Sequence, residues 1–218
     1  MLSFDDAWAE KEVISRLQNK EEARGFFEEL RSRRSYLEIG SRRGFSLWLA
    51  AAALAPRAHL YAIDLPDGPW GEPSGWLGLC AMSDEIGKRF DHDVRVFLGN
   101  SHDAEALKWS TRALNDNKVD ALFLDGDHSF DGVAKDFVNY VPLVKPDGIV
   151  ALHDVAASHD PRIEVRTFWR YIKSKPDFAG WEYIDEQAEH PLGIGCMHGA
   201  EAARLLPIVA TLRERVVA

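Results

Sequence analysis

Two apolar runs in this chain stop at groups that can do chemistry. "LFLDGDHSF" at 122–130 ends in Asp125, Gly126, Asp127 and His128, and "ALHD" at 151–154 ends in His153 and Asp154. Charged groups at the ends of buried segments need compensation, because burial opposes ionisation. If the two runs lie side by side, Asp125 and Asp154 meet, and two carboxylates that meet repel unless a cation lies between them. Carboxylate oxygens suit a hard divalent ion such as Mg2+. His128, with a reference pKa of about 6.5, suits proton transfer near neutrality; Asp127 is the alternative base. The plainer alternatives are loop acids that cap or solvate, and a histidine that bonds only backbone. Ser129 and Asp131 already serve as caps for the helix that follows, which leaves Asp125 and Asp127 free of that duty.

A second set of residues points to a ligand carrying a ribose. "EIGSRRGFS" places Glu38 before a tight turn, with Ser41 between Gly40 and Gly44, and Ser46 just beyond. Asp64 ends the next apolar run, where an acid about 20 residues past a glycine turn is placed to accept both ribose hydroxyls. This pattern alone does not separate a nicotinamide dinucleotide from S-adenosylmethionine. The absence of GxGxxG, and a Glu38 that would crowd any phosphate, lean toward a cofactor with a cationic sulfonium. "GNSHD" at 99–103 offers Ser101 and His102 to a base edge, or an N-cap to the next helix.

The elements that must position these groups alternate along the chain. Strands are expected at 36–39, 59–63, 94–98, 119–124 and 148–152, and late strands at 181–185 and 192–197. Helices are expected at 45–55, about 79–89, 161–174 and 200–215. Phe130, Val133, Phe137, Val141 and Val144 recur at helical spacing between the fourth and fifth strands. Residues 8–30 read as a sparse amphipathic helix that Gly25 divides in two. The loop after Asp64, with Pro66, Pro69, Trp70, Pro73 and Trp76, is long and aromatic enough to be a lid. Such alternation implies an α/β fold, doubly wound, with a mostly parallel sheet, helices on both faces and an antiparallel edge strand. The expected organisation is a helical extension, 1–34, ahead of one domain, 35–218. Ligands of such sheets bind beyond the carboxyl ends of the strands, where the chemistry-bearing residues fall.

Bulk properties narrow the partners. The net charge of −9 and the lack of a basic run disfavour nucleic acid. The longest apolar stretch, "LWLAAAALA", is far short of the roughly 20 residues a bilayer needs, so no membrane is expected. Two cysteines form neither a disulfide framework nor a metal spacing, and the N-terminus lacks the order of a signal peptide. The expected compartment is the cytoplasm, with a homo-oligomer left open.

Taken together, "YLEIGSRRGFS", "YAIDL", "GNSHD", "LFLDGDHSFDGVAKDF" and "LVKPDGIVALHDV" resemble the class I S-adenosylmethionine-dependent methyltransferases. They look most like the metal-dependent O-methyltransferases of small molecules. That branch includes catechol, caffeoyl-CoA and antibiotic-sugar O-methyltransferases and relatives from cephalosporin biosynthesis. The resemblance implies a Rossmann-like seven-stranded sheet with a reversed final hairpin. It implies S-adenosyl-L-methionine as cofactor, with Glu38, Gly40 and Ser46 at its methionine end and Ser41 and Gly44 in the same binding turn. Asp64 falls at its ribose, and Ser101, His102 and Asp125 join the cofactor site. It implies a divalent metal on Asp125, His153 and Asp154, a small-molecule hydroxyl as acceptor, and a base at His128. His153 departs from the family, which carries Asp or Glu there; an imidazole suits Zn2+, Mn2+ or Fe2+ better than Mg2+. A nicotinamide-dependent oxidoreductase, or a non-catalytic relative, is the rival on the same kind of sheet.

Overall fold

In the computed structural model, residues 2–11, 18–70, 73–156 and 160–217 are described, with side chains to residue 212. The apolar runs form seven strands: β1 Ser35–Ile39, β2 His59–Asp64, β3 Asp93–Leu98, β4 Val119–Leu124, β5 Val144–His153, β6 Gly180–Tyr183 and β7 Ile194–His198. They make one sheet in the order β3-β2-β1-β4-β5-β7-β6. β1 to β5 run parallel, and β7 lies reversed between β5 and β6, which supplies the expected antiparallel element at this edge.

Side chains alternate across the sheet and so build two cores. Tyr36, Leu60, Phe123, Ala151 and Ile194 face α1 Phe4–Glu10, α2 Lys20–Leu30, α3 Phe45–Ala53 and α4 Gly75–Phe90. Leu37, Ile63, Leu124 and Leu152 face α5 Ala104–Leu114, α6 Phe130–Tyr140, α7 Val165–Lys173 and α8 Gly199–Val217. Aromatic side chains of α1 and α2 (Phe4, Trp8, Phe27) belong to the first core, so these two helices pack directly against the sheet's first face. Among the described residues no helix is long and apolar enough to cross a membrane.

Three expectations about elements are corrected. Gly25 does not divide a helix: α2 runs through it, and a Cβ there would overlap the Tyr183 ring on β6. The helix instead starts at Lys20, where the Glu22 side chain accepts from the Asn19 amide at 2.8 Å, half of a capping box. The expected helical stretch at 12–17 lies outside the described residues. α4 begins at Gly75 and takes in Trp76, which therefore leaves the loop.

Register brings the site together. Ile39 pairs with Ile63 and Leu124, and Leu124 pairs with Leu152. One step further along each strand stand Asp64, Gly40, Asp125 and His153, in a row at the carboxyl edge. The strand order reverses between β1 and β4, which opens the crevice where ligands of such sheets bind.

Candidate functional site

The glycine turn is built for close approach. Gly40 has φ +87°, and a Cβ there would overlap the carbonyl oxygen of Asp125, so only glycine fits between β1 and β4. Asp64 Oδ1 accepts from the amides of Ser41 at 3.0 Å and Arg42 at 2.9 Å, tying the turn to the end of β2. Burial pushes the Asp64 carboxyl up, against these two bonds. Glu38 is fully buried: Tyr36 donates to its Oε2 at 2.7 Å and Ser46 to its Oε1 at 2.6 Å. Desolvation drives its pKa up to about 7, against both hydroxyls.

A cavity of about 470 Å3 opens over the strand ends. Gly40, Asp64, Ser101, His102, Asp125, Asp127, His128, His153 and Asp154 all line it. Glu38, Ser41, Gly44 and Ser46, expected to bind the cofactor, are not among the residues that line the cavity.

His153 is placed by strand alternation. It follows Ile149 and Ala151 onto the face that α2 covers, and it is 1% exposed. Its Nδ1 lies 3.1 Å from Asp125 Oδ1 and 3.6 Å from Asp154 Oδ1; its Nε2 lies 3.1 Å from Glu22 Oε1. Glu22, with no exposed surface, also accepts from the Gly193 amide at 2.6 Å. Burial opposes the charged imidazole, but Asp125 and Asp154 outweigh it and hold the His153 pKa well above the usual range. Both ring nitrogens of His153 are thus engaged by carboxylates, where a metal ligand was expected.

Among the described residues, the group whose ligand atoms converge is Asp125, His128 and Asp154, all within 4.8 Å of one another. His128 Nδ1 lies 2.7 Å from Asp154 Oδ2. Burial opposes protonation of His128, but the Asp154 hydrogen bond and the Asp125 charge raise its pKa. Burial likewise opposes ionisation of Asp154, and His153 and His128 outweigh it, holding this carboxyl far below the ordinary range. Asp127, the alternative base, turns back to its own loop: its Oδ1 accepts from the Ser129 amide at 3.0 Å, and its side chain fills the space beside Gly132. Ser129 caps α6, as expected, accepting from Gly132.

Over His128 stands Trp70, its ring edge-on at 4.9 Å, with the Arg162 guanidinium 5.0 Å from the Trp70 centroid. At the other end of the cavity Ser101 donates to Asp136 Oδ1 at 2.7 Å, and Tyr140 donates to the Ser101 carbonyl at 2.6 Å. His102 Nε2 lies 3.3 Å from the same Asp136 oxygen, off the line of a good hydrogen bond. Burial works against charge on His102, and Asp136 outweighs it and raises the pKa.

Glu22, Asp136, Tyr140 and Arg162 escaped sequence reasoning. Asn19 and Glu22 stand at capping-box spacing, and Asp136 interrupts the apolar face of α6 beside Phe137; both signals were legible. Arg162 left none.

Residues 37–155 match a family model described as a methyltransferase domain. The chain is similar to the uncharacterized protein y4gI of Sinorhizobium fredii, at 28% identity over 192 residues. That match takes in 85% of this chain and 19% of the relative, so this chain spans about a fifth of that protein's length. Among solved structures it is similar to the O-methyltransferase TomG of Streptomyces achromogenes, in complex with S-adenosylmethionine. The TM-score is 0.61 and the identity 18%, over 90% of this chain and 88% of that one. It is also similar to MycE of the mycinamycin biosynthetic pathway, in complex with Mg, S-adenosylhomocysteine and mycinamycin VI. There the TM-score is 0.56 and the identity 16%, over 90% of this chain and 53% of that one. At such identities these two structures show a shared fold.

Proposed function

Since this chain belongs to the methyltransferase domain family, we propose that it transfers the methyl group of S-adenosyl-L-methionine to a hydroxyl oxygen of a small molecule. The observation that carries this reading is the His128–Asp154 contact of 2.7 Å on the wall of a cavity that also holds the glycine turn and Asp64. TomG and MycE, of like fold, were solved with S-adenosylmethionine or S-adenosylhomocysteine, which supports the choice of cofactor. Absence of a membrane-crossing helix among the described residues, and free thiols at Cys80 and Cys196, suit a cytoplasmic reaction.

In the proposed reaction the acceptor oxygen attacks the methyl carbon in line with the sulfur. An O–CH3 bond forms, the S–CH3 bond breaks, and S-adenosylhomocysteine leaves. Positioning supplies much of the rate, and the acceptor proton must go to a base. Asp154 holds His128 through Nδ1, which presents Nε2 as that base. Trp70 packs on the imidazole and helps to keep water from it.

Asp125, Asp154 and His128 also fit a divalent cation, with His128 in the place expected of His153. Such an ion, when bound, supplies the charge that lowers the pKa of an acceptor hydroxyl. A mixed carboxylate and imidazole set suits Mn2+, Fe2+ or Zn2+ as well as Mg2+. An imidazole cannot be ligand and base at once, and chelation separates the two roles. Transfer of labelled methyl to a panel of catechols and sugar hydroxyls is the assay. As a base, His128→Ala should cost about 100-fold in turnover while EDTA leaves the wild type active. Loss of activity in EDTA, restored by one divalent ion, shows that the reaction needs the ion, and loss of that ion's calorimetric binding in His128→Ala then assigns His128 to it. Calorimetric preference for NAD over S-adenosylmethionine would overturn the methyl-transfer reading.

A further inference from the structure

We propose that Asp136 is a positioning residue that sets base specificity, making the far end of the cavity select adenine over hypoxanthine. The inference rests on the adenosine-cofactor reading above and goes beyond it to the way the base is told apart.

Asp136 lies on α6, is 1% exposed, and does not line the cavity. It sits just beneath the floor, since a Cβ on Gly126, a lining residue, would come within 3.3 Å of its Oδ2. Its Oδ1 takes the Ser101 hydroxyl proton at 2.7 Å. An ionised carboxylate only accepts, and a serine hydroxyl has a single proton to give. With that proton committed to Asp136, Ser101 Oγ has only lone pairs left for a ligand. Tyr140, one turn further along α6, donates to the Ser101 carbonyl at 2.6 Å and fixes the backbone. A ligand edge that meets Ser101 must therefore donate. Adenine donates there through its exocyclic amine, whereas hypoxanthine carries a carbonyl oxygen at that position and sets acceptor against acceptor.

Asp136→Asn changes the polarity and keeps the shape. The carboxamide can donate to Ser101 Oγ, which frees the serine proton for a carbonyl-bearing base. Titration calorimetry of the purified chain with S-adenosyl-L-homocysteine and S-inosyl-L-homocysteine reads the effect. Wild type should prefer the adenosyl compound by at least about 10-fold, and the Asn variant should bring the ratio close to unity. If Asp136→Asn weakens both ligands equally and keeps their ratio, Asp136 only holds the loop and the proposal is wrong. Equal affinity of wild type for both ligands overturns it as well. Should the Asn variant fail to fold, Ser101→Ala must narrow the same ratio. Wild type that binds neither ligand refutes the cofactor reading itself, a separate outcome.

Discussion

Glu22 and His153 form a buried pair at 3.1 Å, and neither is reached by solvent to any useful extent. His153 keeps Asp125 when Glu22 is removed, but its Nε2 and the buried Gly193 amide both lose their acceptor, at a cost of about 3–5 kcal/mol. Glu22→Ala should therefore lose that much unfolding free energy in urea, although Glu22 stands outside the cavity wall; a change below 1 kcal/mol, the usual scale of exposed pairs, would argue against the pairing. Glu38 carries a pH signature of opposite origin. Its carboxyl ionises at about 7 in the fold against an ordinary value of 4.5. Between those values the folded chain keeps a proton that the unfolded chain has released. Stability from this group then falls as pH rises through the window, by at most about 3 kcal/mol. Glu38→Gln should shrink the difference in unfolding free energy between about pH 5 and about pH 8; an unchanged difference would mean that Glu38 is already ionised in the fold.

At the scale of elements, the β1–α3 turn tolerates no side chain at Gly40. Gly40→Ala meets both a positive φ and the Asp125 carbonyl, and it should abolish cofactor binding or folding, as thermal melts with and without S-adenosylhomocysteine would record. This junction was legible in sequence, as were all the strands, because each combines a short apolar run with a turn signal. Asp125 and Asp154 were legible as a meeting pair because consecutive strands joined by one helix tend to be neighbours. The side to which His153 points was not foreseen, although alternation from Ile149 and Ala151 contains it. What alternation could not supply was Glu22, whose approach depends on how α2 docks. Gly25 misled for the related reason that its space is required by Tyr183, far away in sequence, and not by a local turn. The direction of Asp127 was not legible either: its proximity to Asp125 along the chain says nothing about rotamer, and its Oδ1 accepts from the Ser129 amide while the residue still lines the cavity.

For the whole molecule, the sheet order separates two duties. Strand ends β1 to β3 and the loops after them carry the glycine turn, Asp64 and Ser101, while β4 and β5 carry the carboxylates and His128. A ligand that spans both halves must stabilise the chain as a unit. S-adenosylhomocysteine at 100 times its dissociation constant should add about 2.7 kcal/mol to unfolding, with one cooperative transition. A ligand-dependent second transition would mean that the halves melt apart.

The three bonds of Glu22 also fix an order of events in synthesis. Its carboxylate needs Asn19 beside it, but also His153 and the amide of Gly193, which lies 171 residues further along. During synthesis α2 is made before these partners, so its acid stays solvated until the strands up to β6 and the loop to Gly193 have been made. The contacts behind the carboxylate edge are therefore completed only after the chain as far as Gly193 has arrived.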